Sequence, residues 1–166
     1  HNGPHYVDLL CCLLDDLPVR VFGQSRAHYP TEDRLETDNY TVCLLDFARG
    51  ALGRVEQNLT LLDPPGFPQR QETRVMGTEG NLVFGTGQTP ALEAFDGSGF
   101  SVAQPQTIPP DEEPFVLLQR DFFRAVLEDR EPPISMQWSF RVLEACLGAI
   151  ESCAAGEAVA LGRIGA

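Results

Sequence analysis

The hydrophobic and polar positions of the chain repeat with two different periods, and the change between them separates predicted helices from predicted strands. Near the start, Val7, Leu10, Cys11 and Leu14 recur at helical spacing, and Pro4 suits the first position of that helix. The period then becomes two, as in β-strands, with breaker residues between successive runs. The predicted strands cover residues 19–22, 40–47, 54–61, 71–76, 81–84, 91–95 and 100–102.

Two further helices are predicted towards the end of the chain. Pro114 follows three acidic residues, which favour a helix N-terminus. Ser135 is a candidate N-cap for the last helix, and Gly156 is a candidate stop. Because strands flanked by terminal helices are typical of an α+β fold, we predict a large open, mostly antiparallel β-sheet with helices on one face. The other face is expected to be either solvated or available for oligomerisation.

The length and charge of the chain narrow the classes of function. Its 166 residues predict a single domain over residues 1–166, and a net charge of −12 without a basic stripe argues against nucleic acid as a partner. No apolar run is long enough to span a membrane.

All 12 basic residues are arginine, so this chain has no lysine for a Schiff base or a P-loop. The odd number of cysteines, five, and the lack of a signal-peptide pattern favour the cytoplasm.

The glycine-rich segments are predicted to be turns. Residues 85–90 follow a strand and contain the first two glycines of a dinucleotide-binding fingerprint, but Pro90 stands where the third glycine belongs. The next residues are predicted to form a strand, whereas a pyrophosphate needs the N-terminus of a helix. Residues 77–80 have no lysine and are also predicted to form a turn. We therefore predict no cofactor-binding residues in this chain.

Three side chains at the start of the chain raise the question of a metal site. His1, His5 and Asp8 would share one face of an unbroken helix. Gly3 and Pro4 place the start of the helix after His1, so we predict no metal site. His5 then lies in the first turn, where the positive end of the helix dipole favours a neutral imidazole, and Asp8 lies on the same face. Either this pair exchanges protons with a ligand and orients it, or both residues only stabilise the helix N-terminus; residue chemistry alone favours the second interpretation.

Four segments resemble, in chain order, the C-terminal domain of the Gfo/Idh/MocA oxidoreductases. Residues 3–10, Gly-Pro-His-Tyr-Val-Asp-Leu-Leu, resemble the Gly-x-His-x-x-Asp-Leu segment that opens that domain. Three more segments resemble its central hairpin, its Gly-Thr-x-Gly strand entry and its closing helix and strand. They are residues 38–42 with 45–53, residues 76–82, and residues 151–152 with 156–161. No single segment is specific, but the ordered set covers nearly the whole chain.

The resemblance implies a function that composition and spacing do not give. Complete members carry an N-terminal Rossmann domain that binds NAD or NADP, and a lysine there acts with the histidine corresponding to His5 on a sugar or polyol hydroxyl. We therefore expect this chain to be the C-terminal substrate-side and oligomerisation domain of an NAD(P)-dependent oxidoreductase. The Rossmann domain is expected to be absent from it. The chain alone is expected to bind neither nucleotide and to be inactive.

The same resemblance implies the site residues and the partners. His5 is the expected catalytic residue, and Asp8 is the expected substrate-binding residue. The expected partners are a small-molecule substrate and further copies of the chain, which would associate through the open sheet face.

The sequence differs from the family pattern at two positions near the expected catalytic residue. Many members have aspartate four residues before the histidine, where this chain has His1, and an acidic residue just after it, where this chain has Tyr6. The alternative interpretation is a non-catalytic self-association or ligand-binding module that retains the same sheet.

Overall fold

The chain forms an α+β fold with antiparallel strands, as the sequence predicts. The computed structural model describes residues 3–27, 39–58, 71–86, 92–103 and 113–162. These residues belong to two compact units, one comprising His1–Leu61 with Arg124–Ala166 and the other Leu62–Phe123. The elements in chain order are α1 (Gly3–Leu14), β1 (Pro18–Arg26), β2 (Tyr40–Phe47), β3 (Leu52–Asn58), β4 (Gln71–Met76), β5 (Gly80–Thr86), β6 (Leu92–Asp96), β7 (Gly99–Ala103), α2 (Pro114–Leu127), α3 (Met136–Ala155) and β8 (Val159–Ala160).

The first unit is built on a four-stranded antiparallel sheet in the order β3-β2-β1-β8. Strand alternation places one set of side chains under α1 and α3, and the alternate set on the outer face. The register aligns Val21 with Leu45, which are the largest fully buried apolar side chains of the core. The core cluster consists of Val7, Cys11, Val21, Leu45, Phe47, Val55, Val142, Ala145 and Val159. Helices α1 and α3 thus pack on one face of this sheet.

Small residues allow α3 to approach the sheet closely. A Cβ atom added at Gly23 would lie 2.7 Å from the backbone oxygen of Ala149. Directly beside this contact, the Gly23 backbone N–H donates to Ser152 Oγ at 2.9 Å. The Ser152 hydroxyl in turn donates to the backbone oxygen of Glu157 at 2.5 Å. A single buried hydroxyl therefore joins β1, α3 and the turn that leads to β8.

Both termini of α3 carry the predicted caps. Ser135 adopts an extended backbone, and its side chain accepts a hydrogen bond from the Trp138 backbone N–H at 3.0 Å. At the other end, Gly156 has a φ of 73°, in the left-handed region that glycine adopts without steric cost, and its N–H donates to the Ser152 backbone oxygen. The sequence therefore predicts both ends of this helix correctly.

The second unit contains an antiparallel meander in the order β4-β5-β6-β7. The predicted turn at residues 77–80 is confirmed, whereas Gly85 and Thr86, predicted to begin a turn, belong to β5 and pair with β4. The Gly77 N–H donates to the Gly80 backbone oxygen at 2.9 Å and closes the β4–β5 turn. Gly99, at a φ of 131°, opens β7 after the β6–β7 turn. The segment 87–90 of the fingerprint-like stretch lies outside the described residues. Among the helices that the structure describes, none has the length and apolarity needed to cross a membrane.

Candidate functional site

Helix α1 carries both residues that the sequence predicts for the site. It begins at Gly3, one residue before the predicted start, so that His5 lies in its first turn and is exposed. Asp8 follows three residues later on the same side of the helix and is half-buried. The structure therefore places the two side chains on neighbouring turns, with the imidazole accessible from solvent.

The opposite side of α1 anchors the helix to the first sheet. Val7 is 5% exposed and Cys11 is fully buried, and both belong to the core cluster. A Cβ atom at Gly53 on β3 would lie 3.1 Å from Leu10 Cδ1, so the missing side chain makes room for this helix. These contacts hold the position of His5 and Asp8 relative to the sheet.

The carboxylate of Asp8 is bound by a residue of α3. The indole Nε1–H of Trp138 donates to Asp8 Oδ1 at 2.7 Å. Within the described residues, Asp8 forms this bond and none to His5. This bond is not predicted from the sequence. The one feature that could have pointed to it is the indole itself, because the N–H of a partly buried tryptophan requires a hydrogen-bond acceptor.

A small apolar cavity lies beneath α1. Its volume is about 50 Å³, and its lining includes Val7, Val21, Cys43, Cys146 and Ala149. Sites that enclose a small-molecule ligand usually measure several hundred Å³, so this cavity does not accommodate a sugar.

The cysteines of the core are not candidate nucleophiles. Burial raises the pKa of the Cys43 thiol to about 11, and burial also raises the pKa of the Cys11 thiol to about 12. Both thiols therefore stay protonated near neutral pH, whereas the reactive form is the thiolate. All five cysteines of the chain are free, and Cys12 is exposed rather than packed in the core.

The described part of the chain contains no cluster of three or more side chains able to hold a metal ion. His1, the third member of the metal-site alternative, lies outside the described residues. The glycine turns that the structure describes each join two antiparallel strands. They therefore lack the helix N-terminus that a dinucleotide pyrophosphate requires, and these residues do not fit that cofactor.

The sequence of the first half of the chain decides its family. A family model described as the GFO/IDH/MocA C-terminal domain matches residues 1–83, half of the 166 residues. The chain belongs to the GFO/IDH/MocA family. The matched region contains α1 with His5 and Asp8 and continues through most of β5. Among curated proteins, none matches the sequence.

Solved structures of GFO/IDH/MocA-type oxidoreductases share the fold of this chain. An aldose-aldose oxidoreductase from Caulobacter crescentus, complexed with glycerol, superposes with a TM-score of 0.78 at 18% identity, covering 96% of this chain and 46% of its own. A levoglucosan dehydrogenase in complex with NADH and levoglucosan gives 0.77 at 21% identity, covering 97% and 49%. An oxidoreductase from Agrobacterium radiobacter, in complex with NAD+, L-tartaric acid and magnesium, gives 0.76 at 18% identity, covering 96% and 48%. The chain thus spans about half the length of these structures.

Proposed function

We propose that this GFO/IDH/MocA chain is the substrate-side domain of an NAD(P)-dependent oxidoreductase that acts on a sugar, polyol or related hydroxyl or carbonyl compound. In this proposal His5 transfers the proton and Asp8 binds a substrate hydroxyl. The observation that carries it is the position of His5, which lies exposed on the first turn of α1 within the matched region. The expected location is the cytoplasm, which five free cysteines favour.

The proposed chemistry uses each side chain for a task that its position permits. During oxidation of an alcohol, a ring nitrogen of His5 accepts the hydroxyl proton, and in the reverse direction His5 returns it to the carbonyl oxygen. Asp8 accepts a hydrogen bond from a neighbouring substrate hydroxyl, since an ionised carboxylate has several acceptor positions on its two oxygens and Trp138 occupies one of them. Polyols and sugars offer the adjacent hydroxyls that such a pair would recognise.

The cofactor in this proposal is held by another part of the complete protein. The described glycine turns do not fit a dinucleotide, and the similar structures are about twice as long as this chain. The Agrobacterium radiobacter oxidoreductase structure contains NAD+, and the levoglucosan dehydrogenase structure contains NADH. We therefore assign the nicotinamide site to the remainder of the protein and the substrate side to α1.

A second part of the proposal concerns subunit association through the outer face of the first sheet. Phe22 and Leu44 are register partners that alternate with the buried Val21 and Leu45, so they point away from α1 and α3. Leu52 on β3 is 69% exposed. Burial of these side chains against a second copy would remove apolar surface from water.

Nucleotide binding tests the proposal that the cofactor binds to the rest of the protein and not to this chain. We expect isothermal calorimetry to show no binding of NAD+ or NADP+ to the isolated chain, and binding of one of them to the complete protein. Affinity of the isolated chain in roughly the micromolar range, about −8 kcal/mol, would overturn the assignment of the cofactor site.

A further inference from the structure

Trp138 lies on α3, yet its side chain binds the candidate substrate-binding residue of α1. We propose that Trp138 is a positioning residue, which fixes the direction of the Asp8 carboxylate towards the substrate. This inference rests on the proposed function, since it assumes that Asp8 binds substrate. It adds a residue that lies 130 positions from Asp8 in sequence and outside the matched family region.

The hydrogen bond between the two residues has a single possible direction. An indole N–H can only donate, so Trp138 Nε1 donates and Asp8 Oδ1 accepts, at 2.7 Å. This distance lies at the short end of the ordinary range for N–H···O hydrogen bonds. With Oδ1 held, rotation of the carboxylate is restricted, and the direction of the second oxygen is set by the protein.

Trp138 is held through both its side chain and its backbone, and this makes it a suitable support for Asp8. Its ring packs against the core cluster of the first unit, and its backbone N–H donates to the N-cap Ser135. The Ser135 N-cap thus stabilises the first turn of α3, which carries the indole. The indole in turn binds the Asp8 carboxylate. Support of this kind keeps a functional side chain in a productive geometry, where a displacement of about 1 Å can cost up to roughly 10²-fold in rate.

The composition of the chain provides a direct probe of this contact. Trp138 is the only tryptophan among the 166 residues, so all tryptophan fluorescence of the isolated chain comes from the indole that binds Asp8. We expect Asp8→Ala to change the emission of the isolated chain, because it removes the acceptor of the indole N–H. Glu128→Ala, which removes an exposed carboxylate on the turn after α2, is the matched control and should leave the emission unchanged. Unchanged emission in Asp8→Ala would overturn the inference, and this test requires no assay of enzyme activity.

A double-mutant cycle in the complete enzyme tests the positioning role. The assay measures NAD+- or NADP+-dependent oxidation of levoglucosan, glucose and glycerol, and uses whichever is turned over fastest. We expect Trp138→Phe, which keeps a ring but loses the donor, to lower kcat/KM by roughly tenfold. In an Asp8→Ala background the same substitution should have little further effect, because a residue that acts only through Asp8 has nothing left to position. Phe140→Leu, at an exposed position two residues along α3, should leave kcat/KM unchanged.

The outcomes separate this inference from the function on which it rests. If Asp8→Ala lowers kcat/KM but Trp138→Phe does not, the positioning role is wrong and the proposed function stands. Equal effects of Trp138→Phe in both backgrounds would show a general structural role and would also overturn the inference. If Asp8→Ala leaves kcat/KM unchanged, the proposed role of Asp8 is wrong, and the inference fails with it.

Discussion

At the scale of single residues, Ser152 is a buried polar side chain through which α3 is bonded to β1. Its hydroxyl is fully buried and bridges the Gly23 N–H and the Glu157 backbone oxygen. Ser152→Ala would leave both groups without that partner, which should lower the free energy of unfolding by about 1–3 kcal/mol in urea titrations. Ser139→Ala removes an exposed hydroxyl of the same helix and should change the stability by less than about 0.5 kcal/mol. Equal effects of the two substitutions would contradict the bridging role.

At the scale of elements, the stability of α3 should depend on its N-cap. Ser135→Ala removes the acceptor of the Trp138 backbone N–H and should destabilise the protein by about 1 kcal/mol, measured by chemical denaturation. Ser135→Asp keeps an oxygen acceptor at the cap and should retain most of the stability. If the aspartate variant is as unstable as the alanine variant, the cap does not contribute through this hydrogen bond.

The same elements show how far sequence reasoning extends. The predicted strands at residues 40–47 and 71–76 coincide with β2 and β4, whereas the strand predicted at residues 54–61 begins two residues earlier, at Leu52. The start of α2 at Pro114 and both caps of α3 are predicted from local chemistry. The bond from Trp138 to Asp8 and the bond from the Gly23 N–H to Ser152 are not predicted, since each joins residues more than 120 positions apart and no local pattern encodes such a contact.

At the scale of the whole molecule, the outer face of the first sheet is the surface on which association should depend. We expect light scattering at tens of micromolar to give a mass of two or more chains. Leu44→Glu should reduce the mass to that of one chain, because a symmetric interface would then bury one unpaired carboxylate from each copy. Leu13→Glu places the same charge at an exposed position of α1 and should not alter the mass. A mass of one chain for the unaltered protein would show that this face does not mediate association at that concentration.

The catalytic role of His5 is the central claim, and turnover of the complete enzyme tests it most directly. His5 is exposed, so His5→Ala should leave the melting temperature nearly unchanged. Turnover should fall by about 10²-fold or more, the usual scale for loss of a general acid or base. Normal turnover in His5→Ala, with or without a lower melting temperature, would contradict the account.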